Sequence, residues 1–160
     1  MRSKLFPLAL VASLLSAFLL PDGAAAAKAQ VGSPAPQVSL ATLDGTTLTN
    51  ADLKGKVVLL DFWATWCKPC VMALPELKAL SEEMAGEPFV LVSLSADKNK
   101  SMLEKFVKKH GMTWPQFWDP KMEVTYRTFG VDSFPTYIVL DAEGDVVLRH
   151  RGWAPKRTDQ

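Results

Sequence analysis

Apolar residues fall along this chain in two rhythms. Val57-Val58-Leu59-Leu60, Phe89-Val90-Leu91-Val92 and Tyr137-Ile138-Val139-Leu140 are unbroken runs, the pattern of strands covered on both faces. Between them the spacing turns helical. Leu74, Leu77, Leu80 and Met84 recur every three or four residues with Glu76, Lys78, Glu82 and Glu83 interleaved, which predicts a helix over 69–85 closed by Gly86. Pro75 lies inside that helix and is expected to kink it, because it removes one backbone hydrogen bond and crowds the preceding turn. Met102, Leu103, Phe106 and Val107 opposite Lys100, Glu104, Lys105, Lys108 and Lys109 predict a second, amphipathic helix over 99–110, its lysines forming a solvated face.

Shorter signals fill the gaps. Gln37–Leu40 and Thr46–Thr49 flank Leu43-Asp44-Gly45, whose Asp-Gly marks a hairpin, and Asn50–Leu53 reads as a single helical turn. Trp114–Trp118 predicts a short strand, and Met122, Tyr126 and Phe129 a further helical face ending at Gly130, with the aromatic residues assigned to the core. The run 136–140 pairs through Asp141–Asp145 with Val146-Val147-Leu148 as a second hairpin. Strands alternating with helices imply an α/β fold.

The amino end reads differently. Arg2 and Lys4 precede an apolar segment from Leu5 to Leu20, then Pro21-Asp22-Gly23 and Ala24–Ala27. A basic start, a short apolar core and small residues before Lys28 are the signature of a secretory signal peptide cleaved after Ala27, with an uncleaved anchor helix as the alternative. The expected division is therefore 1–27 signal peptide, 28–36 lead-in, 37–154 one globular domain and 155–160 a polar tail. The leader carries Arg2, Lys4 and Asp22, so the 18 basic and 17 acidic side chains of the chain become 16 of each. A balanced mature domain offers nothing to nucleic acid.

Candidate chemistry rests on the only two cysteines, Cys67 and Cys70. Two thiols three positions apart at a helix start can close into a small disulfide and reopen. Cys67 falls where the first backbone N–H groups of the helix are unpaired and the helix dipole is positive, and both favour thiolate over thiol; Lys68 adds a neighbouring cation, and Pro69 sets φ where a missing N–H costs nothing. Cys67 is thus the expected nucleophile and Cys70 the resolving thiol. A structural bridge is a poor alternative, since closing so short a loop removes little unfolded-state entropy. Zinc is a poor one too, because only His110 and His150 are left to complete four ligands, without ligand spacing; no metal and no cofactor are expected. Asp61, set in the apolar strand before the cysteines, is expected to have a raised pKa and to exchange a proton at working pH.

Asp61-Phe62-Trp63-Ala64-Thr65-Trp66-Cys67-Lys68-Pro69-Cys70, with Pro75 and the distant Phe134-Pro135-Thr136, resembles the thioredoxin superfamily, and within it the extracytoplasmic TlpA/ResA-like thiol-disulfide oxidoreductases. The resemblance runs from about Val31 to Trp153. It implies a three-layer α/β/α fold with a mixed central sheet, an N-terminal β-hairpin and a central insertion, here within 99–130. It implies a redox-active disulfide Cys67–Cys70, a cis Pro135 packed against it, and substrate docking on Trp66, Phe134 and Pro135. Asp61 takes the place of the thioredoxin aspartate that moves the resolving cysteine's proton. The implied partners are proteins with cysteine pairs, such as apocytochrome c or copper-delivery proteins, and an upstream membrane electron donor if the protein is a reductant.

Asp61 departs toward thioredoxin, since TlpA-like proteins more often have asparagine there, and two further departures qualify the analogy. Ala73 stands where TlpA-like proteins carry a glutamate, and no helix pattern follows Trp153, although the superfamily covers one sheet face with a final helix. Two other functions compete. A copper(I)-binding module would use the two soft thiolates. A thiol peroxidase needs a proline and a threonine or serine where this chain has Leu60 and Ala64.

Overall fold

The computed structural model describes residues 28–154. The expected signal peptide and polar tail lie outside these residues. A five-stranded sheet organises the rest, in the order β5-β4-β3-β6-β7. β3 (Val57–Trp63), β4 (Phe89–Ser95) and β5 (Gln116–Trp118) run parallel, while β6 (Thr136–Leu140) and β7 (Val146–Arg151) are antiparallel to their neighbours. The sheet is therefore mixed, as the resemblance implies.

The unbroken apolar runs became the central strands because each has a layer on both faces. Val58, Leu60 and Phe62 of β3 join Val92, Leu94, Ile138, Leu140, Phe129 and Val131 in one core cluster. Trp63, with Leu59 at its margin, joins Leu74, Leu77, Leu91 and Leu103 in another. The second layer is made by α2 (Lys68–Glu83) and α3 (Lys100–Lys109). The first is made by α1 (Asn50–Leu53), the lead-in and a π-helical segment, Glu123–Thr128, whose first amides donate to the Asp119 carboxylate at 2.9 and 2.7 Å.

Two edges of the sheet are tied off by chain from the amino end. The hairpin of β1 (Ser39–Ala41) and β2 (Thr47–Thr49) reaches β5 through a Thr42–Phe117 bridge and a Leu43 N–H to Gln116 carbonyl bond of 2.8 Å, which shields an otherwise open edge. The lead-in pairs with the start of β7, where Gly32 donates to the Val146 carbonyl at 2.8 Å, Val146 donates to the Ser33 carbonyl at 2.9 Å and Ala35 donates to the Gly144 carbonyl at 2.9 Å. Arg149 locks the same region from the apolar face, donating to the carbonyls of Ala29, Phe129 and Gly130; burial lowers its pKa.

The helical readings meet the fold at Pro75 and Met102. α2 is continuous through Pro75, which is exposed and offers no N–H to the Val71 carbonyl. Met102 does not join the buried face of α3: it is 61% exposed while Leu103 is fully buried, because the helix turns its 103, 106 and 107 positions to the sheet. Trp153 meets the α2 side of the sheet: its indole N–H donates to Glu76 at 3.1 Å, and with Leu59, Leu77, Leu80 and Tyr137 it lines a cavity of about 210 Å³.

Candidate functional site

β3 delivers its last residues to the mouth of α2. The strand ends at Trp63, and Ala64–Trp66 turn the chain, held by Asp97 at the end of β4: its carboxylate accepts from the Thr65 N–H at 2.9 Å and the Thr65 hydroxyl at 2.6 Å. Cys67 then occupies the N-cap of α2, and its sulfur accepts the Cys70 N–H at 3.3 Å. A helix cap is ordinarily an oxygen. Here the reactive atom itself satisfies one of the unpaired N–H groups, so the helix mouth supplies hydrogen-bond and dipole stabilisation at that sulfur. Lys68 and Pro69 are the first two helical residues and both are exposed.

The two cysteines are joined: Sγ to Sγ is 2.03 Å and Cα to Cα is 5.3 Å. Both are largely buried, at 6% and 2% exposure. The Phe134–Pro135 peptide is cis, as the resemblance implies. Trp66 stands 67% exposed and meets Phe134 edge-on, with ring centroids 5.9 Å apart. Trp66, Cys67, Pro69, Ala96, Met122 and Phe134 line an open groove of about 740 Å³, with Lys98 and Asp132 at its polar margin. A groove that exposes one cysteine between flat apolar walls suits an extended peptide segment.

Asp61 lies in the middle of β3, 1% exposed, on the α2 side of the sheet with Leu59 and Trp63. Its register neighbours are Ser93 on β4 and Tyr137 on β6. Burial pushes its carboxyl up to about 7, partly offset by the Ser93 hydroxyl, which donates to Oδ2 at 2.8 Å. Trp114 donates its indole N–H to the same hydroxyl at 2.8 Å. The structure thus brings Cys67, Trp66 and Phe134 together at the groove, with Cys70 bonded to Cys67 and the cis Pro135 following Phe134, while Asp61 lies further back in β3, under the α2 side of the sheet.

Sequence reasoning missed Ser93, Trp114, Asp97 and Met122. The signal for the first was present: serines at 93 and 95 interrupt an otherwise apolar run, and a polar residue in a doubly covered strand needs a partner. Nothing in the local pattern marks Met122, which adopts a left-handed conformation (φ 56°) at the start of the π-helical segment.

Comparison with known proteins agrees with this geometry. The sequence profile of the Redoxin family matches residues 30–160. The thiol-disulfide oxidoreductase ResA of Bacillus anthracis is 34% identical over 120 residues, covering 75% of this chain and 69% of that protein. The thioredoxin-like protein YneN of Bacillus subtilis is 37% identical over 130 residues, 80% and 75% respectively. Among solved structures, one assigned as the thiol:disulfide interchange protein DsbE of Chlorobium tepidum superposes with a TM-score of 0.74 at 31% identity, covering 80% of this chain and 89% of that one. A thiol-disulfide oxidoreductase of Bacteroides fragilis gives 0.67 at 30%, covering 73% and 89%. Cysteine pair, fold and relatives converge, and the chain belongs to the Redoxin family as a TlpA/ResA-like thiol-disulfide oxidoreductase of the thioredoxin superfamily.

Proposed function

We propose that the protein works outside the cytoplasm, in the periplasm or its equivalent, as a reductant of cysteine pairs in exported proteins. The observation that carries the mechanism is the position of Cys67: its sulfur caps α2 and forms part of the groove wall. In the reduced protein the Cys67 thiolate attacks one sulfur of a substrate disulfide, forming a Cys67–substrate disulfide and releasing the other substrate sulfur as thiolate. Cys70 gives its proton to the Asp61 carboxylate and attacks the Cys67 sulfur. The Cys67–Cys70 disulfide forms, and the second substrate sulfur leaves as thiolate. Two electrons pass to the substrate, and a membrane-borne thiol donor returns the pair to its reduced form.

Trp66, Phe134 and Pro135 dock the substrate strand, while Lys68 and Pro69 tune thiolate stability. An exported thiol pair oxidises unless electrons reach it, so a reductant here requires such a donor. Resemblance supports apocytochrome c and copper-delivery proteins as targets, and the amino-terminal leader supports export. A carboxyl raised to about 7 by burial supports the proton step, since it can take the Cys70 proton at working pH.

Two measurements test this. Equilibration with glutathione buffers should place the pair near the thioredoxin potential of about −270 mV; a value near the DsbA potential of about −120 mV overturns the direction. Cys70→Ser protein expressed in the cell should accumulate mixed disulfides through Cys67, and these identify the substrates. A copper(I) carrier would accumulate few and would bind the metal through both thiolates instead.

A further inference from the structure

The redox steps use Cys67, Cys70 and the groove, but leave polar side chains buried on the same sheet face without a task, Ser93 and Trp114 among them. Ser93 is fully buried and Trp114 is 6% exposed, one in β4 and the other ahead of β5. We propose that Ser93 and Trp114 are positioning residues for Asp61, joined to it by a hydrogen-bond chain of fixed direction that runs from the Trp114 indole through the Ser93 hydroxyl to the Asp61 carboxylate. The proposal rests on the reading of Asp61 as the proton acceptor for Cys70 and deepens it by naming what sets when that acceptor is available.

The direction follows from donor chemistry. An indole N–H only donates, so at 2.8 Å it occupies a lone pair of Ser93 Oγ. A serine hydroxyl has one proton, and Asp61 Oδ2 at 2.8 Å is the acceptor that receives it. The Ser93 backbone N–H is already committed to the Pro115 carbonyl at 3.0 Å. Trp114 therefore acts as a backstop that keeps the hydroxyl aimed at Asp61. An ionised carboxylate accepts this bond fully. Protonation at that oxygen weakens the bond and leaves a buried donor poorly matched, so the chain favours the charged form. Burial pulls the other way and is the larger effect, which leaves the carboxyl at about 7.

The other groups packed around Asp61 supply no competing charge. From β6 comes Tyr137, whose hydroxyl is pushed well above its ordinary value by burial, then by the charges of Asp61 and Glu76, and so stays neutral at working pH. On the α2 side of the sheet lie the cysteines, uncharged while joined, and Glu76, which acts on Tyr137 and is bonded by Trp153. α3 presents Leu103 and Phe106 to this cluster. With no cation beside it, Asp61 depends on the serine to keep its carboxylate populated near pH 7. Without that bond it would hold its proton and decline the one from Cys70.

The test uses the oxidised full chain with carbon-13-labelled aspartate, reading the Asp61 carboxyl by NMR across pH 5 to 10, with the rate of mixed-disulfide resolution at pH 7 measured in parallel. Ser93→Ala should raise the Asp61 midpoint by about one pH unit, and Trp114→Phe should raise it by a smaller amount in the same direction. Resolution by Ser93→Ala should fall several-fold at pH 7 and recover as pH rises. An unmoved midpoint in Ser93→Ala overturns the proposal. Should that variant not fold, Trp114→Phe decides: loss of stability with an unmoved midpoint makes Trp114 packing only and overturns the proposal. A raised midpoint with unchanged resolution upholds the hydrogen-bond chain while removing Asp61 from the proton step, so the two failures are distinguishable.

Discussion

On one face of β3, Val58, Leu60 and Phe62 join an apolar core cluster; on the other, Leu59 and Trp63 flank a carboxyl group. Toward the end of the strand both faces are dry, although Val57 at its start is exposed and Leu59 half-buried. Leu60 is 2% exposed and Asp61 is 1% exposed. What differs is what burial does. For Leu60 and Phe62, removal from water stabilises the fold by about 1.5–3 kcal/mol each. For Asp61 the same removal opposes ionisation, and only the Ser93 hydroxyl softens it. One strand therefore holds the molecule together with one side and keeps a destabilised acid in reserve with the other. A charge-prone group in so well covered a strand is retained against stability, which points to chemistry rather than packing.

That contrast can be broken in three places, taken from the largest effect downward. Phe62→Ala should cost about 3–5 kcal/mol, and the loss should be the same at pH 5 and pH 8 because no titrating group is involved; urea unfolding of the oxidised protein at both pH values checks it. Asp61→Asn should do the reverse. The carboxyl titrates at about 7 in the folded protein against 3.8 as the ordinary value, so between those limits the native state holds the proton that the unfolded state has lost. Native stability then falls as pH rises from about 4 to 7, by up to roughly 4 kcal/mol. The amide variant lacks this slope, and by urea unfolding it should be little different from wild type at pH 4 and more stable by up to that amount at pH 8. Its resolution step should be slow while the first attack by Cys67 is nearly unchanged; equal loss in both steps removes Asp61 from the proposed role.

Trp66→Ala should have the smallest effect and sharpen the contrast at the site's outer edge. The side chain is 67% exposed and packs on Phe134 alone among the described aromatic pairs. Stability should change by less than about 0.5 kcal/mol. Steady-state reduction of a disulfide substrate should show KM raised about five- to tenfold with kcat within twofold, as expected for loss of about 1 kcal/mol of docking contact.

Much of this molecule was legible in its residues. The unbroken apolar runs of β3, β4 and β6 announced strands buried on both sides, and the Asp44-Gly45 turn announced the hairpin. Met102 was misplaced because an apolar residue at the edge of a helical stripe carries the same local signal whether it is covered or not. The sequence marked 28–36 only as a lead-in to the domain. In the fold it pairs with β7 and is held by Arg149, more than a hundred residues away in sequence.

The chain's own order was enough to place Cys67 at a helix mouth with Cys70 one turn on, because a spacing of three residues is local geometry. It was also enough to put a carboxyl group in an apolar strand. Which partner meets that carboxyl was decided only when β3 and β4 settled their register. Asp61 and Ser93 are 32 residues apart, and Trp114 is 21 beyond Ser93. A strand shifted by one residue would turn Ser93 to the opposite face, since side chains alternate along the strand. Long-range pairing, fixed by the match of two apolar cores, is what turned an isolated acid into one with a directed hydrogen bond.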